Sequence, residues 1–132
     1  MSLVERLNAE MLPFAKLMGV VVTEAAPDRV AATLTIRDDL CTTNSIAHGG
    51  AVMALADTLG GIAAFINLPP DAKGTTTIES KTNMIGAAPV DSTLIAVCAP
   101  LHRGRRTQIW QTRIETSDGK LIAVTIQTQL TL

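Results

Sequence analysis

Aromatic residues are almost missing from this chain. Phenylalanine, tryptophan and tyrosine together make up 2% of its 132 residues, and tyrosine is absent. Proteins that bind single-stranded nucleic acid stack bases on aromatic side chains, so the composition disfavours that class. Basic residues are not in excess either, because 11 lysines and arginines stand against 12 acidic residues. We therefore expect no nucleic-acid partner.

Cysteine and histidine are also scarce. The two cysteines, Cys41 and Cys98, form no CxxC pair, which argues against a disulfide scaffold and a cysteine zinc site. Two histidines without a cluster of acidic ligands argue against a catalytic metal. A GxSxG elbow and a glycine-rich phosphate loop are both absent. We expect no metal and no cofactor, and two free thiols are typical of a cytoplasmic protein.

No segment of the chain has the pattern of a targeting signal or a membrane span. The first ten residues contain acids and lack an apolar run. The most apolar stretch, residues 47–68, carries Asp57 near its middle and has no basic flanks, so a helix buried in protein is favoured over a spanning one. We expect no membrane partner. Length and an apolar content of 47% predict a single globular domain over residues 1–132.

The apolar spacing predicts an α+β fold. A helix is expected over residues 3–18, with Pro13 as a break or kink, and a second helix over about 49–67 that is apolar nearly all round. Alternating patterns predict strands over residues 20–25, 30–37, 75–85, 93–101, 106–116 and 121–130. Short turns between consecutive strands imply an antiparallel sheet. One sheet wrapped around the long helix, with further cover from a partner, satisfies these patterns.

The sharpest chemical feature is the start of the long helix, His48-Gly49-Gly50. A helix N-terminus offers unpaired backbone N–H groups, and glycines allow close approach of a substrate oxygen. Such a site can stabilise a carbonyl that is becoming a tetrahedral anion. An ordinary glycine-rich helix start is the alternative.

Asp57 lies on the same helix among apolar neighbours. A carboxylate is seldom buried there unless it is partnered or functional, and desolvation would make it a stronger base or nucleophile. Capping or ion pairing is the alternative. Gly49 and Asp57 are eight residues apart, which is about 12 Å along a helix. One carbonyl cannot reach both in one chain, so a catalytic role for both implies a homodimer with shared sites.

The only basic cluster is His102-Arg103-Gly104-Arg105-Arg106, at a turn between two strands. Arginines bind phosphates in bidentate fashion, so a multiply phosphorylated small molecule fits this cluster better than a polymer. A solvated hairpin tip is the alternative.

These motifs resemble those of the hotdog-fold acyl-CoA thioesterases, in particular the phenylacetyl-CoA thioesterase-like (PaaI) branch. The matching segments are His48-Gly49-Gly50-Ala51-Val52-Met53-Ala54-Leu55-Ala56-Asp57, Thr77-Ile78-Glu79-Ser80-Lys81-Thr82-Asn83, the Arg103-Gly104-Arg105 turn and the terminal strand after Asp118-Gly119-Lys120. The resemblance covers about residues 15–130. It implies a hotdog fold, an antiparallel sheet around a central helix, and a homotetramer built as a dimer of dimers.

The resemblance also implies roles for single residues. Asp57 would be the nucleophile or general base, the Gly49 N–H would polarise the thioester carbonyl, His48 would orient or assist, and Thr77 would help to place water. Gly50, Arg103, Gly104, Arg105 and Arg106 would contact acyl-CoA.

The chain departs from the family pattern before the helix. The asparagine that the family places six residues before its histidine is Thr42 here, and the nearest asparagine is Asn44. Asn44 would either take that role through a changed loop or serve as a turn residue.

The motifs and the resemblance make hydrolysis of an acyl-CoA thioester the leading hypothesis. The alternatives are an acyl-CoA-binding module without turnover and a hotdog dehydratase, for which no separate motif is present. Nothing in the sequence identifies the acyl group.

Overall fold

The computed structural model describes all residues from Met1 to Leu132, and it contains three helices and six strands. The helices are α1 (Leu3–Ala9), α2 (Pro13–Met18) and α3 (Gly49–Ile66). The strands are β1 (Val21–Ala26), β2 (Arg29–Thr35), β3 (Thr75–Met84), β4 (Thr93–Arg103), β5 (Thr107–Thr116) and β6 (Leu121–Thr131). The predicted α+β class and the order of elements are confirmed.

All six strands form one antiparallel sheet in the order β1-β2-β4-β5-β6-β3. The β5–β6 turn is the one that the sequence predicts, with Gly119 at a φ of 93° that glycine adopts without strain. Strand β3 comes before β4 in the chain but pairs with β6 at the far edge of the sheet. The outer side of β3 therefore has no partner strand within the chain.

The N-terminal segment forms two helices where the sequence suggests one interrupted helix. Ser2 and Glu5 make a reciprocal capping box at the start of α1, which satisfies two backbone N–H groups. Pro13 opens α2 at its first turn, where the missing N–H costs nothing. Gly19 ends α2 in the left-handed conformation with a φ of 95°.

Helix α3 packs against the inner face of the sheet. Its buried residues are Val52, Leu55, Ala56, Leu59, Gly60, Ile62, Ala63 and Ala64. By length and composition α3 resembles a membrane span, with a mean hydropathy of 1.6, but these contacts make it the core helix of the fold. Its opposite face is open, since Met53 is 42% and Phe65 is 65% exposed. The sequence predicts that the sheet and a partner together bury this helix, and in the single chain the sheet covers one face only.

Candidate active site

Asp57 lies on the open face of α3, not in the core. The sequence places it among apolar residues, but the helix turns those residues toward the sheet and Asp57 toward solvent. Within a single chain this carboxylate is therefore exposed to solvent. Any desolvation must come from a substrate or from another chain that covers the open face.

The Asp57 carboxylate is held from the sheet side through one oxygen. The Thr77 hydroxyl donates to Asp57 Oδ1 at 2.9 Å, and Gln127 Nε2 donates to the same oxygen at 3.3 Å. Gln129 Nε2 in turn donates to the Thr77 hydroxyl oxygen. The resemblance implies that Thr77 helps to place water, and the fold brings its hydroxyl to Asp57.

A β-bulge in β3 contributes to this geometry. The β3–β6 register shifts between Thr77 and Glu79, so Ile78 is the extra residue in the strand. Bulges are common next to active sites because they redirect side chains. Before the bulge Thr77 pairs with Gln129, and after it Ser80 pairs with Gln127, so both glutamines lie opposite residues of the inner face.

Gln127 and Gln129 are functional candidates that the sequence reading missed. They occupy alternate positions on β6, and each is only 1% exposed. The sequence pattern that could have identified them is a row of polar residues at alternate positions of one strand. A buried glutamine needs hydrogen-bond partners, so such a row indicates polar contacts inside the fold. Those partners come from α3 and β3, and sequence spacing alone does not reveal them.

The start of α3 leaves one backbone donor free. His48 is the N-cap, and its Nδ1 accepts a hydrogen bond from the Gly50 N–H at 2.8 Å. A side chain at position 50 would lie 2.9 Å from that nitrogen, so glycine there makes room for the imidazole. The Gly49 N–H donates to no group in the chain. Of the two glycines predicted to meet a substrate, only Gly49 offers an unengaged N–H.

His48 presents a second donor at the same place. A neutral imidazole that accepts at Nδ1 carries its proton on Nε2. The side chain is exposed, so this Nε2–H is accessible from solvent. The sequence prediction that His48 orients or assists at the helix start is compatible with both features.

Asn44 lies in a turn before α3. Its φ of 63° and ψ of 25° place it in the left-handed region, which asparagine tolerates better than most residues. The flanking Cys41 and Ala47 form an antiparallel bridge, so Asn44 lies at the tip of a small loop. No hydrogen bond connects its side chain to Gly49 or Asp57 within the chain. The turn role left open by the sequence accounts for its position.

The basic cluster divides into two parts. Arg103 Nη1 donates to the Pro27 carbonyl at 3.1 Å, which ties it to the β1–β2 turn. Arg105 and Arg106 instead line a groove of about 410 Å³ together with Lys73. A side chain at Gly104 would lie 2.9 Å from the Thr107 carbonyl oxygen, so the tight β4–β5 turn explains this glycine.

A second groove, of about 440 Å³, opens beside Asp57. It lies between α2, α3 and the start of β3, and its walls combine the polar Thr77 with apolar side chains such as Phe14 and Ala54. Phe14 is 61% exposed, so this wall is accessible from solvent. A carboxylate at the edge of a partly apolar groove is suited to a substrate with a polar reacting bond and an apolar group.

The arrangement belongs to a known class. The model of the thioesterase superfamily matches residues 44–123 of the chain, which include α3, β3 and the Asp57 and Thr77 positions. The proofreading thioesterase EntH of Cronobacter sakazakii is 30% identical over 119 residues, which cover 88% of this chain and 84% of that protein. The chain therefore belongs to the thioesterase superfamily and is a thioester hydrolase.

Two further comparisons extend this result. The 1,4-dihydroxy-2-naphthoyl-CoA hydrolase of Escherichia coli is 30% identical over 94 residues, which cover 71% of this chain and 68% of that protein. The solved structure of the Escherichia coli PaaI protein superposes with a TM-score of 0.86 at 20% identity, over 99% of this chain and 96% of that one. The hotdog fold expected from the resemblance is thereby confirmed.

Proposed function

We propose that the protein is an acyl-CoA thioesterase that releases a free acid and coenzyme A. The observation that carries this proposal is Asp57 itself, a carboxylate anchored through one oxygen at the edge of an open groove. The likeness to a naphthoyl-CoA hydrolase supports a coenzyme A thioester as the substrate class. Asp57 and the Gly49 N–H act on the same bond.

In this mechanism the Gly49 N–H donates to the thioester oxygen and stabilises the charge that develops there. Asp57 either takes a proton from water, which adds to the carbonyl carbon, or attacks that carbon directly. In the general-base route the C–S bond then breaks, and the proton that Asp57 took from water goes to the departing thiolate. In the direct route C–S cleavage leaves an acyl–Asp57 anhydride, and water then cleaves this anhydride, releases the acid and gives one proton to the thiolate. Hydrolysis in water enriched in heavy oxygen separates the two routes. Direct attack puts the label first into Asp57, and general-base use puts it into the released acid.

The two groups come from different chains in the proposed site. Within one chain, a Cβ at Gly49 would lie 3.3 Å from the Met84 side chain, at one end of β3, whereas Asp57 bonds to Thr77, toward the other end. About 12 Å of helix separates the two positions. A site complete within one chain is therefore excluded by distance.

The open edge of β3 supplies a way to join two chains. A long unpaired edge strand is a template for pairing with another chain. Antiparallel pairing of two β3 strands about a two-fold axis near Ser80 and Lys81 would set Thr77 opposite the partner's Met84. The partner's Gly49 then approaches this chain's Asp57, and the two-fold axis creates two equal sites. Apolar side chains exposed along this region, such as Ile78 at 57%, favour such a contact.

Lys73, Arg105 and Arg106 are proposed to hold the phosphates of coenzyme A. Together they place three cations around one groove, which Asp71 also lines, in a chain whose net charge is -1. Lys73 precedes Thr77 by four residues, about 13 Å of extended chain. The acyl end of the substrate would occupy the groove at Phe14 and Ala54.

The direct test of the activity is a hydrolysis assay with a panel of aliphatic and aromatic acyl-CoAs. The parent protein should release coenzyme A from at least one of them. Asp57→Asn should lower kcat by about 10² or more, because the base is lost. The variant should still fold, since the amide oxygen can accept from Thr77 and Gln127. A parent rate in Asp57→Asn would reject the proposed mechanism.

Mixing two defective chains tests the shared site. Asp57→Asn and Gly49→Pro, which removes the N–H donor, should each give a nearly inactive homodimer. In re-associated heterodimers one site carries both defects and the other carries neither, so activity should return toward half of the parent value per dimer. Absence of recovery, with heterodimers shown to form, would contradict the model.

Two further proposals follow from the resemblance and the composition. We expect two dimers to associate into a homotetramer, which light scattering after size exclusion can measure.

We also expect the protein to act in the cytoplasm, where Cys41 and Cys98 would stay reduced. Cell fractionation checks the second proposal.

A further inference from the structure

We infer that Gln127 and Gln129 are positioning residues that fix Asp57 Oδ1 in place and reserve Asp57 Oδ2 for the reaction. The inference rests on the proposed role of Asp57 and assigns the oxygen that performs it. Neither glutamine lies within residues 44–123, the part of the chain that the model of the thioesterase superfamily matches.

Both donors to the Asp57 carboxylate arrive at the same oxygen. Thr77 Oγ1 is 2.9 Å and Gln127 Nε2 is 3.3 Å from Oδ1, and no hydrogen bond within the chain reaches Oδ2. Rotation of the carboxylate that carries Oδ1 away from its donors would break both bonds. The side chain is therefore held in one orientation even though it lies on an exposed helix face. Oδ2 is the oxygen that remains available to a water molecule or a thioester carbon.

Gln129 sets the direction of the Thr77 hydroxyl. Its Nε2 donates to Thr77 Oγ1, so the single hydroxyl proton of Thr77 is left to donate to Asp57. The Gln129 amide is itself oriented, because the Thr75 hydroxyl donates to its Oε1 at 3.0 Å. The bonds thus run in one direction from Thr75 through Gln129 and Thr77 to Asp57.

The Gln127 amide has an arrangement that folding alone does not explain. Its Nε2 faces the carboxylate, and its Oε1 is buried without any hydrogen-bond partner. A flipped amide would point Oε1 at Asp57 Oδ1, where two acceptor oxygens repel each other. A buried unpaired acceptor destabilises a fold. Gln127 is therefore best explained by what it donates to Asp57.

Glycine at position 60 makes room for this contact. A Cβ at Gly60 would lie 2.1 Å from the Gln127 amide carbon and 2.4 Å from its Nε2. The amide therefore packs directly on the backbone of α3, one turn beyond Asp57. This close packing limits the movement of the donor and so of the carboxylate that it holds.

Gln127→Met tests the inference because methionine keeps the volume and removes both polar atoms. We expect kcat to fall about 10- to 100-fold through misplacement of the carboxylate, while KM stays within twofold. The melting temperature should not fall, since the unpaired Oε1 is lost as well.

The matched control is Gln108→Met, on the neighbouring strand. Gln108 is also 1% exposed, but its amide bonds to the Ala64 and Asn67 carbonyls and to Trp110 rather than to Asp57. This variant should lose stability and keep kcat within twofold of the parent. Thr77→Val is the second test of the relay and should lower kcat as Gln127→Met does, whereas Thr77→Ser should retain it. It also provides the answer if Gln127→Met does not fold.

The outcomes separate this inference from the proposed function. If Asp57→Asn is inactive while Gln127→Met and Thr77→Val match the parent in kcat, the positioning role is overturned and the thioesterase proposal stands. Equal losses of kcat in Gln127→Met and Gln108→Met would make the effect merely structural and also overturn it. A parent rate in Asp57→Asn would overturn both.

Discussion

The inner face of the sheet has two halves with different composition. Strands β2 and β4 pair there through six apolar residues that are all fully buried: Val30 with Cys98, Ala32 with Ala96, and Leu34 with Leu94. Strands β6 and β3 present Thr125, Gln127, Gln129, Thr77 and Thr82 to the same helix. The apolar half stabilises the fold through buried apolar surface, and the polar half holds the Asp57 carboxylate.

The difference shows where this fold tolerates a cost to stability. The apolar half has the composition of a packed core, with alanine opposite alanine and leucine opposite leucine across the two strands. The polar half contains the unpaired Gln127 Oε1 and a glycine that makes room for the Gln127 amide. A residue in the first half should therefore matter for stability, and a residue in the second for turnover.

The largest expected effect is in the apolar half. Leu34→Ala should lower the free energy of unfolding by about 2–5 kcal/mol, because the side chain is fully buried and a cavity remains. Urea unfolding measures this loss. The kcat of the protein that remains folded should stay near the parent value. A loss of kcat without a loss of stability would contradict the assignment of stability to the apolar half and of turnover to the polar half.

The apolar half of the inner face should also disfavour the charged form of a buried side chain. Burial raises the pKa of the Cys98 thiol from 9.0 to about 11. Between these values the folded chain keeps a proton that the unfolded chain has lost, so stability falls as the pH rises. The fall should reach about 2–3 kcal/mol by pH 11.

Unfolding at a series of pH values measures this slope, and the absence of tyrosine removes one competing alkaline titration. Cys98→Ala should flatten the slope because the thiol is gone. An unchanged slope in that variant would assign the alkaline loss to other groups.

Adjacent glycines of α3 sharpen the comparison on the polar side. A Cβ at Gly60 collides with the Gln127 amide, whereas a Cβ at Gly61 meets nothing within 4 Å. Gly60→Ala should lower stability by about 1–3 kcal/mol through overpacking. Gly61→Ala should raise it by up to about 1 kcal/mol through helix propensity. Thermal unfolding of both variants measures the difference. Equal changes in melting temperature would mean that the Gln127 side chain moves aside without loss of stability.

The smallest effect is expected outside both halves, at the basic groove. Replacing Arg105 and Arg106 by alanine should raise KM for an acyl-CoA by about tenfold with little change in kcat, because substrate and transition state share the phosphate contact. Arg103→Ala should have less effect, since its guanidinium is bound to Pro27. The difference should shrink with pantetheine thioesters that lack the nucleotide. An equal loss with both substrates would make these arginines structural.

Much of the fold could be predicted because its signals are local. Pro13 and Gly19 mark the start and end of α2, Gly119 marks a turn, and alternating residues mark the strands. The helical pattern placed Asp57 and Gly49 on one helix, and their spacing in the sequence then predicted the distance between them. The short 3₁₀ turns before α3, including the left-handed Asn44 and Ser45, were not predicted, since such conformations depend on the closure of the whole loop.

Residue spacing alone determined the helix, the strands, and the distance that prevents one chain from uniting Gly49 with Asp57. Alternation along β6 defined two faces but not which of them meets the helix. Folding turned Gln127 and Gln129 inward and Asp57 outward, through bonds such as Gln127 to Asp57 that join residues 70 positions apart. Contacts of that range depend on strand order and on the β3 bulge, which no local pattern encodes.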